Sequence, residues 1–191
     1  MPVTQYADST LIVAVHPSVP AKSLAELAAY SKANPGKLVF ASSGLGTMTQ
    51  MVYETLKRSG GIEMLHVPYR GGAESLTDFL SGVAQVFSEG NALPHVKSGK
   101  VRLLAVVDTE RHPDFPDVPT LRQVYPDADI LNWFALFAPA GTSPAIIAKL
   151  AGEMNTIARQ PDFQQSFLKL ALRAKAGTPE QLGALLRKDY D

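Results

Sequence analysis

Short apolar strands alternate with amphipathic helices along most of the chain, and this alternation constrains the fold more than any other feature. The run Leu-Ile-Val-Ala-Val at 11–15 is typical of a strand buried on both faces. Similar runs predict strands at 38–41, 64–67, 84–87 and 101–107. Alternating strands and helices favour right-handed crossovers, so the pattern predicts an α/β fold whose sheet is mostly parallel and flanked by helices.

Capping sequences mark the starts of the predicted helices. A Ser or Thr followed three residues later by Glu or Gln is the capping-box pattern, which occurs at 23–26, 47–50, 120–123 and 178–181. We expect Asn91 to cap a further short helix that ends near Gly99.

The alternation of predicted strands and helices ends after residue 130. Residues 130–138, which include the only tryptophan, Trp133, are predicted to be extended, and the chain is then predicted to be helical almost to its end. The helices there have apolar faces but no strand nearby in sequence on which to pack. They either cover the first sheet or belong to a second lobe that is largely absent from this chain.

Composition excludes several classes of protein. Lysine plus arginine equals aspartate plus glutamate at 18 each, which argues against a nucleic-acid partner. No apolar run approaches the roughly 18 residues of a membrane span, and the apolar share of 46% argues against disorder. The first residues lack a signal-peptide pattern. The chain has no cysteine and its four histidines lack metal-ligand spacing, so we predict no metal and no cofactor.

Three loops follow predicted strands and lead into helices, at 42–47, 67–72 and 87–91. In a parallel sheet such loops lie along one edge, where ligands bind. Glycines let backbone amides approach a ligand, and a helix start offers unpaired N–H groups and a partial positive charge. The loops therefore predict a site for a carboxylate or phosphate without a cationic side chain.

Each loop also has a purely structural interpretation. The glycines of the first loop can simply form the turn, and Gln50 can simply cap its helix. Tyr69 can be a packed aromatic, Arg70 a surface cation, and Glu89 either solvent-facing or the acceptor of a ligand amine. An α/β enzyme acting on a phosphorylated or acyl substrate is the alternative function, with Ser43 and Glu89 as its candidate residues.

The order of the motifs resembles a known family. The motifs that carry the resemblance are HPS (16–18), SLAEL (23–27), NPGKL (34–38), SGLGT (43–47), HVPYRGG (66–72), LPHVKSGK (93–100), PDVPT (116–120) and FAPAGT (137–142). Together they resemble the Bug-type (TctC-like) extracytoplasmic solute receptors of tripartite tricarboxylate transporters. The resemblance runs from about Leu11 to the end of the chain.

The resemblance implies a periplasmic receptor of the type II periplasmic binding-protein fold, without catalytic activity, that delivers a small carboxylate to membrane transporter subunits. It implies that residues 11–132 are the second, ligand-binding lobe, that 1–10 are a remnant of the first lobe, and that 133–191 return to that incomplete lobe. The ligand-binding residues carried over by motif are Ser43, Gly44, Gly46, Thr47, Tyr69 and Gly71.

Two expectations follow for the chain itself. Because the chain would contain only half of a ligand cleft, its affinity for the ligand should be weak or unmeasurable. The exposed apolar faces of its helices should promote self-association. A receptor-derived sensor that does not serve transport is a second alternative function.

Overall fold

The computed structural model describes residues 1–190, which divide into two compact units. Unit 1 comprises residues 1–9 and 132–190, and unit 2 comprises Thr10–Leu131. The strands are β1 (Pro2–Ser9), β2 (Leu11–Val15), β3 (Val39–Ser42), β4 (Leu65–Pro68), β5 (Val86–Phe87), β6 (Arg102–Val107), β7 (Asn132–Phe137) and β8 (Leu172–Ala174). The helices are α1 (Leu24–Ala33), α2 (Met48–Arg58), α3 (Gly72–Ser81), α4 (Leu93–Lys97), α5 (Leu121–Val124), α6 (Pro144–Ala158), α7 (Pro161–Lys169) and α8 (Pro179–Tyr190).

Unit 2 contains a five-stranded sheet in the order β4-β3-β5-β2-β6. Strand β3 runs parallel to β4 and β5, whereas β2 runs antiparallel to both β5 and β6. Four of the five strands therefore run in one direction, and only β2 is reversed. A strand that is buried on both faces has the same apolar pattern in either direction, so the sequence does not encode this reversal.

The core of unit 2 lies on both faces of this sheet. All five residues of β2 are buried, as expected for a central strand. On one face Phe40 packs against Tyr53 of α2, with ring centroids 5.5 Å apart. On the other face Phe87 stacks on Phe79 of α3 at 4.9 Å. Burying each large side chain contributes about 1.5–3 kcal/mol, so these contacts fix α2 and α3 against the sheet.

Unit 1 contains a three-stranded antiparallel sheet in the order β7-β1-β8, on which α6 and α8 pack. The extended segment predicted at 130–138 corresponds to β7. Strand β1 is a finding that the sequence did not predict, because its residues mix polar and apolar types without strict alternation. The prediction of helix almost to the end of the chain is wrong at β8, a strand of three residues.

Most of the predicted helix caps are present. Ser23 accepts a hydrogen bond from the Glu26 amide, and the capping box at Thr120 is complete in both directions. The box that begins at Thr178 is also complete. The prediction that Asn91 caps a helix is wrong, because its side-chain amide instead donates to the carbonyl of Gly72. None of the helices in residues 1–190 combines the length and the hydropathy that crossing a membrane requires.

Candidate functional site

The three predicted loops leave the same edge of the sheet in unit 2. Strands β3 and β4 are parallel neighbours in which Ser42 pairs with Pro68, so both end at the same level. The Tyr69 amide continues the ladder by donating to the carbonyl of Ser42 at 2.9 Å. On the other side of β3, the parallel strand β5 ends at Phe87. Residues 43–47, 69–72 and 88–91 are therefore neighbours along this edge, which we call the loop edge.

The first loop, residues 43–47, is tied to the start of α2 by side chains of that helix. The hydroxyl of Thr49 accepts from the Ser43 amide at 3.0 Å and lies 2.8 Å from the hydroxyl of Thr47. The side-chain carbonyl of Gln50 accepts from the Gly46 amide at 2.7 Å. The Gly44 amide donates to the Ser42 hydroxyl at 3.3 Å, so three of the backbone amides in this loop are already bonded within the chain.

Thr47 precedes α2 but does not close the predicted capping box. Its hydroxyl donates to the carbonyl of Gly44 at 2.8 Å and makes no cap bond to the helix. Gln50 does not bond to the Thr47 amide, because it is engaged by Gly46. The first-turn amides of α2 therefore keep no side-chain cap from Thr47, and no acidic residue lies in that turn.

Gly44 lies where the first loop passes close to the second. It has a φ of +137°, which side chains disfavour. A Cβ there would lie 3.3 Å from the carbonyl oxygen of Tyr69. Glycine at this position therefore permits both the turn and the close approach of the second loop.

The second loop, residues 69–72, is anchored on α3. The Tyr69 hydroxyl donates to a carboxylate oxygen of Asp78 at 2.6 Å. Burial, together with the hydrogen bond to Asp78, raises the pKa of Tyr69 to about 12. The phenol stays protonated and donates that proton to Asp78, so towards a ligand the phenol oxygen can only accept a hydrogen bond. Gly71 is the residue before α3, and its carbonyl accepts from the Ser75 hydroxyl at 3.1 Å.

The third loop, residues 88–91, brings an acidic side chain to the start of α3. A Cβ on Gly72 would lie 1.9 Å from a carboxylate oxygen of Glu89, so only glycine leaves room for Glu89 in this position. Two buried atoms here have no hydrogen-bond partner within residues 1–190, the Ser88 hydroxyl and the side-chain carbonyl of Asn91. Sequence reasoning missed Asp78 as part of this region, because its contact with Tyr69 depends on tertiary packing. Ser88 and Asn91 lie in the predicted loop 87–91, but their unpaired buried atoms were not predicted.

A serine and a histidine lie at the base of the loop edge. The Ser42 hydroxyl and Nε2 of His66 share a hydrogen bond of 2.7 Å across β3 and β4. Burial lowers the pKa of His66, which also stacks on Tyr53 at 4.7 Å. Ser42 is fully buried, and its hydroxyl also lies 3.3 Å from the Gly44 carbonyl. This pair therefore joins the strand ends to the first loop.

Unit 1 has a cavity of about 720 Å³ that none of the predicted site residues lines. Its wall includes Met1, Ile147, Ala151, Asn155 and Arg187. Across residues 1–190, no group of three or more His, Asp or Glu side chains is arranged to hold a metal ion.

Comparisons with known proteins agree on one family. Residues 1–189 match the sequence family described as "Tripartite tricarboxylate transporter family receptor". The chain is similar to "Protein BugT" of Bordetella pertussis, with 32% identity over 184 residues, covering 95% of this chain and 56% of BugT. The chain spans about half the length of the first curated relatives that it matches, 52% of one and 56% of another.

Solved structures show the same likeness. The chain resembles "R. palustris Rpa4515 with adipate" with a TM-score of 0.88 and 25% identity, covering 98% of this chain and 64% of that one. It also resembles "MatC (Rpa3494) from Rhodopseudomonas palustris with bound malate" with a TM-score of 0.87 and 26% identity, covering 98% and 66%. The fold predicted from the resemblance, that of periplasmic binding proteins, is confirmed.

Proposed function

Because the chain belongs to the family of tripartite tricarboxylate transporter receptors, we propose that it binds a small carboxylate at the loop edge of unit 2. The family and the fold are those of solute receptors and not of enzymes, which removes the alternative of an α/β enzyme. The observation that carries the proposal is the pairing of Ser42 with Pro68, because it brings residues 43–47 and 69–72 to one edge.

The start of α2 is the better of two places for the ligand carboxylate. The first amides of a helix have no partner within the helix and carry a partial positive charge. The first turn of α2 contains no acidic residue. The first turn of α3 contains Glu74, and the Glu89 carboxylate lies against Gly72. A second negative charge is therefore disfavoured at α3 and favoured at α2.

The proposed ligand contacts follow from this choice. Ser43 contributes its hydroxyl, and the glycines at 44 and 46 let the main chain approach the carboxylate. The Thr47 hydroxyl, which donates to the Gly44 carbonyl, turns away from that carbonyl to donate to the ligand. The amides of Ser43, Gly44 and Gly46 are bonded internally, so their main role is to hold the loop in shape. Tyr69 accepts from a hydroxyl or amine elsewhere on the ligand, and Gly71 leaves room beside it.

We also propose the lobe assignment implied by the family. Residues 11–132 correspond to the ligand-binding lobe, and residues 1–10 and 133–191 to part of the other lobe. The division of the described chain at residues 10 and 131 supports this. The setting proposed for the complete receptor is the periplasm, with membrane transporter subunits as partners, and sensing without transport remains the alternative.

Binding by this chain alone should be weak. The first curated relatives are almost twice as long, so we expect part of the ligand's contacts to come from outside the matched length. We expect a Kd above about 1 mM, which is a binding free energy of about 4 kcal/mol or less.

Titration of the isotope-labelled chain with malate and adipate, followed by amide chemical shifts, tests the proposal. We expect shifts at residues 43–49 and 69–72, and Ser43→Ala should weaken binding about tenfold if its hydroxyl bonds the charged group. Ser166→Ala, an exposed serine in unit 1, is the matched control. Shifts confined to other residues, or none with either acid, would contradict the site.

We further propose that the chain associates with a second copy through unit 1. The helix α7 buries none of its residues, and Leu168 and Leu170 are both exposed. Exposed apolar patches of this kind mark association surfaces. Sedimentation should detect oligomers that Leu168→Ser weakens, whereas Leu65→Ser, an equally exposed leucine in unit 2, should not. A monomer at all concentrations would contradict this.

A further inference from the structure

One half-buried carboxylate at the loop edge has no cationic partner among residues 1–190. Glu89 follows β5 and lies against Gly72 at the start of α3. The ion pairs found within residues 1–190 join Lys97 to Asp114, Arg122 to Asp129 and Lys175 to Asp8, and none includes Glu89. The hydrogen bond found for the carboxylate comes from the side-chain amide of Asn91 at 3.4 Å.

The position of Glu89 is fixed by its neighbours. Asn91 donates from one nitrogen to both the Gly72 carbonyl, at 3.2 Å, and Glu89. Both partners are acceptors there, so the amide of Asn91 cannot be reversed without bringing oxygen against oxygen. Any side chain at residue 72 would displace the carboxylate.

This arrangement leaves an unpaired acceptor. The side-chain carbonyl oxygen of Asn91 is buried without a partner among the described residues. Leaving a buried polar atom unpaired costs about 1–3 kcal/mol. Such a cost at a candidate binding site is a reason to look for a role in function. Here the role would be to hold Glu89 in one orientation at the loop edge, ready for a ligand.

The chemistry of the occupant follows from charge and hydrogen bonding. A carboxylate only accepts hydrogen bonds, so its natural partner is a group that donates them and carries positive charge. An ammonium group meets both conditions, whereas a second carboxylate would be repelled. The neighbouring start of α2 has no acidic residue and suits the ligand's anionic end.

We propose that Glu89 receives an ammonium group of the ligand and that Asn91 is its positioning residue, so that the preferred ligands are amino acids and not simple carboxylic acids. This proposal rests on the proposed function. It assigns the two ends of the ligand to two helix starts. The carboxylate of the ligand lies at the start of α2, and its ammonium group lies against the Glu89 carboxylate at the start of α3.

Aspartate and succinate provide the test, because they differ by one ammonium group. The Kd of each for the full 191-residue chain is measured from amide shifts at matched ionic strength. We expect aspartate to bind at least about tenfold more tightly, as for a charge-assisted hydrogen bond. Glu89→Gln should bring the two Kd values together, and Asn91→Ala should reduce the preference by a smaller factor.

Glu63→Gln is the control, because Glu63 is an exposed acidic residue that precedes β4, at the opposite end of that strand from the loop edge and outside the proposed contacts. It should leave the preference for aspartate unchanged. The far-ultraviolet circular dichroism of each variant establishes that it folds, and if Glu89→Gln does not fold, Glu89→Asp replaces it, with a reduced preference expected from the shorter side chain.

The outcomes separate the two proposals. If both acids shift residues 43–49 but succinate binds as tightly as aspartate, the ammonium proposal is overturned and the carboxylate site remains. A preference for aspartate that survives Glu89→Gln also overturns it. If neither acid shifts these residues, the proposed function fails and the ammonium proposal fails with it.

Discussion

The two units differ in how completely they bury their apolar residues. In unit 2 the central strand β2 is buried along its whole length, and helices cover both faces of its sheet. In unit 1 the cluster of buried core residues is small, comprising Val3, Ile147 and Ala151, and α7 buries none of its residues. Unit 2 therefore has the core of an independent domain, whereas unit 1 has apolar faces that lack a partner within the described chain.

This difference separates the candidate site from the less completely packed unit. All three loops at the loop edge belong to unit 2, and their anchors do too, from the ladder bond between Tyr69 and Ser42 to the bond between Tyr69 and Asp78. The candidate site is therefore supported by the better packed unit. Changes in unit 1 should alter stability and association more than the shape of the loops.

A matched pair of leucine substitutions tests the comparison most strongly. Leu56 of α2 is 0% exposed and Leu168 of α7 is 63% exposed. Leu56→Ala should lower the free energy of unfolding by about 2–5 kcal/mol, whereas Leu168→Ala should change it by less than about 0.5 kcal/mol. Urea titration followed by circular dichroism measures both. Equal costs would mean that α7 packs as firmly as α2.

The tyrosine at the loop edge gives unit 2 a response to alkaline pH. The pKa of Tyr69 is raised from 10.0 to about 12, so the protonated phenol stabilises the fold below pH 10. That contribution is lost as pH rises from 10 towards 12. Tyrosinate absorbance should reveal late titration by Tyr69 and also by Tyr125, whose pKa burial raises too.

Asp78→Asn is the variant that isolates the carboxylate. It should lower the pKa of Tyr69 but not return it to 10.0, because burial is the larger cause of the shift. Phe79→Leu, next to Asp78 but on the buried face of α3, is a control for packing. An unchanged titration in Asp78→Asn would contradict the hydrogen bond.

Removing one helix cap in each unit compares the stability of the two units, with a smaller expected effect. Thr120 caps α5 in unit 2, and Thr178 occupies the equivalent position before α8 in unit 1. Replacing either threonine by alanine should cost about 1 kcal/mol. Fluorescence of Trp133, which lies in unit 1, should report the loss for Thr178→Ala and respond less to Thr120→Ala. The same response to both would indicate that the units unfold together.

The smallest expected effect is an acid response at His66. Burial lowers its pKa from 6.5, opposed by the nearby charge of Glu54. Neutral His66 therefore stabilises the fold above pH 6.5, and this contribution declines as pH falls below that value. His66→Gln should flatten the pH dependence of the free energy of unfolding. A steeper dependence in the variant would contradict the assignment.

The fold of unit 2 was predictable because its strands are short apolar runs and because α1 and α5 begin with side-chain caps. The reversed direction of β2 was not, because burial on both faces leaves the same pattern in either direction. In unit 1, β1 and β8 escaped prediction. Their pairing partners are far along the chain, and neither has the strict alternation of a half-buried strand.

The sequence was enough to predict that the candidate site consists of three loops at one edge of a sheet. It was not enough to predict the hydrogen bonds and close contacts that those loops make. Gln50 fits a capping box by spacing, yet it bonds to Gly46, whose left-handed conformation depends on the turn. The phenol of Tyr69 is committed to Asp78, and the contact of Glu89 with Gly72 joins two different loops. Contacts of this kind depend on how α2 and α3 pack, which no local pattern specifies.

The pairing of the first strand with residues near the end of the chain affects the order of folding. Ala7 pairs with Ala174, so β1 leaves the ribosome long before its partner in β8 exists. Unit 2, whose residues lie between these strands, contains no pairing partner of β1, so β1 stays an unpaired edge until residues 132–137 and 172–174 reach it. The sheet of unit 1 therefore requires contacts between residues far apart in sequence, and its formation should be slower than that of the sheet in unit 2.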